Sequence, residues 1–385
     1  MLKIVADNAI PFAERQFSRI GDVHLVNGRQ INSSIVEDAD VLVCRTITKV
    51  NRVLLHDSSL KIVASPTSGS DHVDLDYLNQ RSISFCCAPG SNARSVAEYV
   101  LSALSVLAEQ KAFKLSDKTI GIIGCGNVGS QLRDFARTIG LKPLVYDPLL
   151  AEASGDNEFC ELAAIQRCDI ISVHVPLTRD TPYPTHKMLN ARFFQGLAEN
   201  VIFINTARGE VLDQTELKNF LQKNARAMAV LDVWENEPEI DMSLLTRADI
   251  ATPHIAGYSM DSKLRATNSV FDQVCETLNV NELSDDNDMI FQPGEMREIS
   301  LHHNQPDIDA ITLAILASYD VRSDAAALRH VLEDSVVDSA AYFDDLRNNY
   351  PIRREFSSMQ IALTKQTPSL RQKLLNLGFR LIGSD

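Results

Sequence analysis

Short runs of successive apolar residues recur along the first two-thirds of the chain. Between them, apolar positions return every three or four residues. The first series of runs is Lys3–Ala6, Val23–Val26, Val41–Cys44, Lys61–Ala64 and Ile83–Cys86. A second series is Thr119–Gly124, Pro143–Tyr146, Ile170–Val175, Val201–Asn205, Ala227–Asp232 and Ile250–Thr252. The centres IGIIG, IISVHV, VIFIN and MAVLDV are apolar without alternation, the pattern of strands covered on both faces. Helical patterns lie between, such as Phe12–Ile20 and a long stretch from Ala93 to Phe113. In the latter, Val96, Val100, Leu104 and Leu107 share one face, and Ser91-Asn92 stands where a cap belongs. Strand–helix alternation of this kind predicts parallel sheets with helices on both faces. We read two α/β units, the second a full dinucleotide-type domain. A further helical pattern, Asp261–Leu278, economically returns to the first unit, which makes that unit discontinuous.

Beyond it the pattern changes. The stretch Asn281–Asp288 (NELSDDND) is polar and acidic and reads as a linker. A strand signal follows around Ile299, then helical stretches Asp309–Tyr319 and Asp338–Asn348, an apolar Met359–Leu363 and a last helix around Leu370–Leu377. This is a small α+β module. A free third domain and a dimerisation module both fit it, and the prevalence of symmetric homo-oligomers favours the second.

Composition narrows the class. The 385 residues are 45% hydrophobic and 23% charged, ordinary globular values that exclude a collagenous or wholly disordered chain. A net charge of −14 argues against broad nucleic-acid binding or docking on anionic lipid. An anionic substrate then needs a local cationic site. The cysteines (44, 86, 87, 125, 160, 168 and 275) show no C-x-x-C spacing, and most sit in apolar runs. They point to a reducing compartment. MLKIVADN lacks a leader pattern, and no run approaches the ~18 apolar residues of a membrane span. The expectation is a soluble cytoplasmic protein that holds no metal.

Candidate chemistry follows the second series of strands. Gly124-Cys125-Gly126-Asn127-Val128-Gly129 fits G-x-G-x-x-G between the strand TIGIIG and the helical SQLRDFARTIG. Gly124 permits the tight turn, Gly126 lets backbone approach a pyrophosphate, and Gly129 lets helix and strand pack closely. The helix N-terminus offers free N–H groups to phosphate. Asp147 stands 18 residues after Gly129, where a carboxylate accepts from ribose hydroxyls and repels a 2′-phosphate, favouring NAD over NADP. A glycine turn in an ordinary α/β protein is the competing reading, weakened by the strand, helix and Asp all being in place.

Three later segments end strands, where ligand groups gather in open α/β sheets. In NTARG, Arg208 suits a two-pronged grip on a carboxylate, or merely a surface pairing. In LDVWENEP, Asp232 ends a strand, and Glu237 precedes a proline that holds it extended; the acidic cluster also fits a solvated loop. In TPHIAGY, His254 follows a strand, and a neutral His there can take an alcohol proton while a carboxylate such as Glu237 fixes its tautomer. A lone His is more often structural; Arg208, Glu237 and the nucleotide motif together invert that. His174 and the pair His302-His303 lack comparable partners and read as structural.

Taken together, TSGSDHVD, GIIGCGNVG, CDIISVHVPL, NTARGEVLD, LDVWENEP and TPHIAG resemble the D-2-hydroxyacid dehydrogenase family. The resemblance implies an NAD-dependent enzyme with Arg208 as substrate-carboxylate anchor, Glu237 as orienter and His254 as acid/base. It implies a Rossmann-type nucleotide domain inserted in a flavodoxin-like substrate domain, followed by the small α+β C-terminal domain. The boundaries expected are 1–93 and 258–285 for the substrate domain, 94–257 for the nucleotide domain and 286–385 for the module. RTITKVN, Gly257-Tyr258, YDVRSDAAALR and RREFSS are similar to members that oxidise a phosphorylated 2-hydroxy acid and dimerise through that module. By position this implies substrate contacts at Thr46, Thr67 and Tyr258. It implies cofactor contacts at the glycine motif, Asp147, Val175, Thr206, Ala207, Arg208, Asp232 and Gly257. Relatives can carry Thr where Val175 stands, so only a backbone or packing contact is expected there. Whether Arg45 or Lys49 holds a phosphate stays open. So do two other readings: a family member acting on 3-phosphoglycerate, and a binding protein that senses NAD without turnover.

Overall fold

The structure, a computed structural model, describes residues 1–155, 158–281, 297–302, 306–333, 336–364 and 367–382. Most of the linker stretch Asn281–Asp288, and His303, lie outside them. The chain divides into two compact units. One is Met1–Asn92 with the segment that begins at Ser259; the other is Ala93–Tyr258 with the C-terminal module.

In the first unit, β1 (Leu2–Asp7), β2 (Gly21–Val26), β3 (Val41–Val43), β4 (Ile62–Ser65) and β5 (Ser84–Cys87) form one parallel sheet in the order β2-β1-β3-β4-β5. The inner strands β1, β3 and β4 bury both faces, as the unbroken apolar runs predict, whereas the edge strands do not: His24 and Leu25 of β2 and Ser84 of β5 are exposed. Ile4 and Ala6 face one core with Val41, Val43, Ile62 and Ala64, while Val5, Leu42 and Val63 face the other. The helix Met260–Leu278 joins the first of these cores through Val270, Phe271, Val274 and Cys275, and Phe271 meets Phe17 edge-on at 5.4 Å. The helical pattern read over Phe12–Ile20 closes down to Ala13–Phe17, because Arg19 and Ile20 bond back to Gln16 and Phe17 in tighter turns.

In the second unit, β6 (Thr119–Ile123), β7 (Lys142–Tyr146), β8 (Ile170–Val173), β9 (Ile202–Asn205), β10 (Met228–Leu231) and β11 (Ile250–Ala251) make a parallel sheet in the order β11-β10-β9-β8-β6-β7. A bridge from Val145 to Phe159 extends the β7 edge. The chain leaves β6 toward β7 on one side and returns to β8 on the other. That is a topological switch point, where open α/β sheets place ligands at the carboxyl ends of strands. Several apolar runs outlast their ladders by a residue or two. Gly124, His174-Val175, Asp232 and Thr252 therefore stand just past a strand end, in the loops that bear the chemistry.

The module has its own parallel sheet of β12 (Arg297–His302), β13 (Met359–Thr364) and β14 (Arg380–Ile382). The helices Asp307–Ser318, Ser339–Asn348 and Pro368–Asn376 fall near the expected places. The helix Arg322–Arg329 and β14 were not legible, the first in a polar run and the second in only three residues. Ile311, Ala314, Ile315, Phe356 and Ile361 share a core with Val100, Leu104 and Leu107 of the helix Ala93–Lys111. A buried charge cluster joins the same helix. Arg94 Nε lies 2.9 Å from Glu98, Phe356 N donates to both Glu98 oxygens at 3.1 Å, and Ser95 Oγ donates to Glu355 at 2.7 Å. Among the described residues no helix is long and apolar enough to cross a membrane.

Burial, and then the Glu355 carboxylate, push the Glu98 carboxyl up to about 8 against the pull of Arg94 and Arg353. Between the ordinary value of 4.5 and about 8 the folded chain holds a proton that the unfolded chain has lost. Stability from this group therefore falls as pH rises through that window, on the order of 1 kcal/mol per pH unit. Urea unfolding of the wild type and of Glu98→Gln at pH 5.5 and 8 checks this. The variant is expected to show the flatter dependence.

Candidate active site

The glycine turn begins at the end of β6. Gly124 has φ +89°, and a Cβ there would stand 2.8 Å from both the His174 carbonyl oxygen and Val175 Cγ1. A Cβ on Gly129 would lie 1.9 Å from the Gly124 carbonyl oxygen, so the helix Asn127–Ile139 sits directly on the turn. Gly126 is the opposite case: it caps that helix, and nothing lies within 4 Å of its Cβ position. Asn127 and Val128 form the first helical turn, with no side chain capping it. Open space before uncapped N–H groups at a helix N-terminus fits a dinucleotide pyrophosphate. Asp147 reaches back across the turn. One of its oxygens accepts from Cys125 N at 2.8 Å and the other from Leu150 N at 3.1 Å. A carboxylate has about four lone-pair directions, so it retains capacity for ribose hydroxyls.

At the end of β9, buried Asn205 braces the 206–208 turn. Its Oδ1 accepts from Ala207 N and its Nδ2 donates to the Arg208 carbonyl, both at 3.0 Å. Arg208 Nη1 donates to the Ala207 carbonyl at 2.8 Å. Thr206 Oγ1 lies 3.4 Å from His174 Nδ1, and the other ring nitrogen lies 2.8 Å from Ser172 Oγ. Burial pushes the His174 imidazole down to about 3, so it is neutral, in keeping with a structural role beside the turn. Val175 is partly buried against the second sheet's core.

The decisive geometry is at the ends of β10 and β11. His254 Nδ1 and Glu237 Oε2 are 2.7 Å apart, and Glu237 Oε1 accepts from Trp234 N at 2.8 Å. Burial would raise the Glu237 carboxyl, but the charge and hydrogen bond of His254, then the charge of Arg347, hold it below its ordinary range. His254 sits at φ +57°. Its loop is fixed by Asp232, 1% exposed, whose oxygens accept from Thr252 Oγ1 (2.6 Å), Ile255 N (2.8 Å) and Ala256 N (2.9 Å). Asp232 is thus engaged by the protein itself. The Glu237-Pro238 peptide is cis, where the sequence pattern read only an extended residue before proline. Gly257 and Tyr258 follow in the same loop, and Tyr258 Oη accepts from Arg347 Nη2 at 3.2 Å.

Thr46, exposed, and Thr67 belong to the first unit, just after β3 and β4. Thr67 Oγ1 donates to Gly69 O at 2.9 Å and lies 3.0 Å from Ser65 Oγ. Arg45 makes a two-pronged pair with buried Asp7, at 2.7 and 3.2 Å, whereas Lys49 is exposed. Lys263, in the helix after Ser259, is pushed down by burial and then by the Arg45 charge. Sequence reading missed Lys263 and Arg347, since no motif or spacing marks either.

This arrangement can bind a dinucleotide, hold a carboxylate and move a proton at His254 Nε2. The comparisons with known proteins agree. Residues 98–256 match the model described as D-isomer specific 2-hydroxyacid dehydrogenase, NAD binding domain, and residues 290–378 match a domain of unknown function, DUF3410. A Hahella chejuensis protein named erythronate-4-phosphate dehydrogenase is 41% identical over 99% of both chains. The chain belongs to the D-2-hydroxyacid dehydrogenase family. A Shigella flexneri relative with the same name is 40% identical, again over 99% of each chain. Two solved structures share the fold at 24% identity. Aquifex aeolicus D-lactate dehydrogenase with NAD and lactic acid gives a TM-score of 0.58, covering 73% of this chain and 96% of its own. NAD+-bound 3-phosphoglycerate dehydrogenase of Entamoeba histolytica gives 0.62, covering 74% and 98%. As a family member, the protein is an NAD-dependent dehydrogenase.

Within this family site, one close approach sets the spacing of two loops. A Cβ on Gly209 would lie 2.0 Å from the Trp234 carbonyl carbon, so the turn after Arg208 packs on the segment that bears Glu237. Gly209→Ala must part them. Loss of about 1–3 kcal/mol in urea unfolding and a marked fall in turnover are expected.

Proposed function

We propose that the protein oxidises 4-phospho-D-erythronate at C2 to 2-oxo-3-hydroxy-4-phosphobutanoate, a step of pyridoxal 5′-phosphate biosynthesis, as a cytoplasmic homodimer paired through its C-terminal module. One observation supports the substrate: likeness to erythronate-4-phosphate dehydrogenases runs the whole length of the chain, module included. The 3-phosphoglycerate dehydrogenase, at 24% identity, shares the fold alone.

The Glu237–His254 pair supplies the chemistry. Glu237 accepts from Nδ1, so Nε2 is the acceptor for the C2 hydroxyl proton. Ionised Glu237 then offsets the imidazolium charge. Arg208, held by the Asn205 brace, suits the C1 carboxylate with parallel hydrogen bonds. NAD, when bound, supplies the hydride acceptor. The residues suited to hold it are the Gly124–Gly129 turn, Asp147, Val175, the 206–208 turn and Gly257, while Asp232, expected by position, serves through the loop it fixes. Tyr258, Thr46 and Thr67 are proposed as substrate contacts by position. For the phosphate, Arg45 and Lys263 are the better candidates, because they form a cationic pair within the first unit, and exposed Lys49 has no such setting.

An NADH-fluorescence assay with phosphorylated and plain 2-hydroxy acids tests the reading. Preference for 3-phosphoglycerate would replace the substrate. Tight NAD binding with no turnover of any 2-hydroxy acid would replace the enzyme by a sensor. His254→Ala is expected to lose roughly 10²–10⁴-fold in kcat with NAD affinity kept. Glu237→Gln removes the charge that favours imidazolium, so the rising limb of kcat against pH should move to lower pH while kcat falls. Lys263→Met is expected to raise KM for the phosphorylated acid at least tenfold and leave plain 2-hydroxy acids unaffected, as a lost charge-assisted hydrogen bond of about 1.5–3 kcal/mol requires.

A further inference from the structure

The helix Ser339–Asn348 lies in the region whose family model carries no function, and Arg347 stands in its last turn. Its Nη2 donates to Tyr258 Oη at 3.2 Å. Its guanidinium carbon lies 5.8 Å from the Tyr258 ring centre and 6.0 Å from that of buried Phe343. Tyr350 meets the Tyr258 ring edge-on at 5.8 Å. Arg347 Nε is buried with no hydrogen-bond partner. An unsatisfied buried donor costs about 1–3 kcal/mol or more, so packing alone is a poor reason to keep a cation here.

We propose that Arg347 is a positioning residue of the active site: it orients the Tyr258 hydroxyl as a donor, and its charge biases the Glu237–His254 pair toward carboxylate and neutral imidazole. The inference rests on His254 being the base. Guanidinium has donors and no acceptor, so Tyr258 Oη accepts from Arg347 and its own proton is directed to another acceptor. An oxygen of the anionic substrate is the chemistry that fits. The second effect is electrostatic. Glu237 faces His254, Arg347 and the Trp234 N–H; Arg347 faces Tyr258, Glu237 and Asp344. His254 and Arg347 both lower the Glu237 carboxyl. A fixed positive charge beside the pair also disfavours a second positive charge on the imidazole, which keeps His254 ready to accept a proton.

Arg347→Met, near in volume, and Arg347→Lys, which keeps the charge without the planar fork, separate the effects. Arg347→Met is expected to move the rising limb of kcat upward by about half a pH unit or more, opposite to Glu237→Gln, with NADH affinity and melting temperature kept. Arg347→Lys should restore the limb while KM stays raised severalfold, and Tyr258→Phe should raise KM without moving the limb. Profiles of Arg347→Met that superimpose on the wild type overturn the proposal. So does a limb that Arg347→Lys, the milder change, fails to restore. NMR titration of the His254 ring reads the same displacement without turnover. If no 2-hydroxy acid is oxidised, the functional reading fails, while an unmoved His254 titration in Arg347→Met overturns this proposal separately.

Discussion

Asp232 stands just past β10 with 1% exposure, and three donors from the β11 loop converge on its carboxyl group. Its carbonyl also accepts from His254 N at 2.7 Å. A buried charge without partners is prohibitively costly, so the loop has few other ways to lie. Thr252 relays the constraint outward: its hydroxyl lies 2.7 Å from Tyr99 Oη on the helix Ala93–Lys111, and its carbonyl accepts from Trp234 Nε1 at 3.0 Å. One carboxylate thus ties two strand ends, the long helix and the Glu237 loop to the place where His254 stands. This is how a residue at positive φ is held without help from glycine.

The same helix anchors the module. Its Val100, Leu104 and Leu107 share a core with Ile311 and Ile361, and its Glu98 takes the N–H of Phe356. The helix therefore has two loads on its length, the catalytic loop through Tyr99 and the module through Glu98. The helix that bears Arg347 is seated separately, by Phe343 in the second sheet's core with Leu328 and Leu244.

Much of this was legible in sequence because the signals are local. Parallel strands buried on both faces read as unbroken apolar runs, and the glycine turn and the three loops at strand ends are contiguous. The strand ends were less legible, since apolarity outlasts the ladder at Gly124, Val175, Asp232 and Thr252. The Arg322–Arg329 helix was hidden because its apolar stripe rests on only Ala325 and Leu328, among charged residues and alanines. Arg347 and Lys263 were missed for a different reason. Each acts on a group far away in sequence, and no spacing encodes that.

The charge of −14 is the remaining constraint on an anionic substrate. Residues 281–385 hold 17 acidic and 10 basic side chains, half of the net charge. Exposed charges act over a Debye length of about 8 Å at physiological salt, so the whole-chain sum says little at any one loop. What counts is which charges are buried, since burial strengthens their reach. Near Glu237 the partly buried cation is Arg347, and near the β3 loop the partly buried cations are Arg45 and Lys263. Arg45 is largely answered by Asp7; Lys263 is pushed down by burial and by Arg45, and an arriving dianion would favour its charged form. On the proposed reading, substrate charge and Lys263 protonation are coupled, so a phosphate seated there would bind most tightly where the lysine still holds its proton.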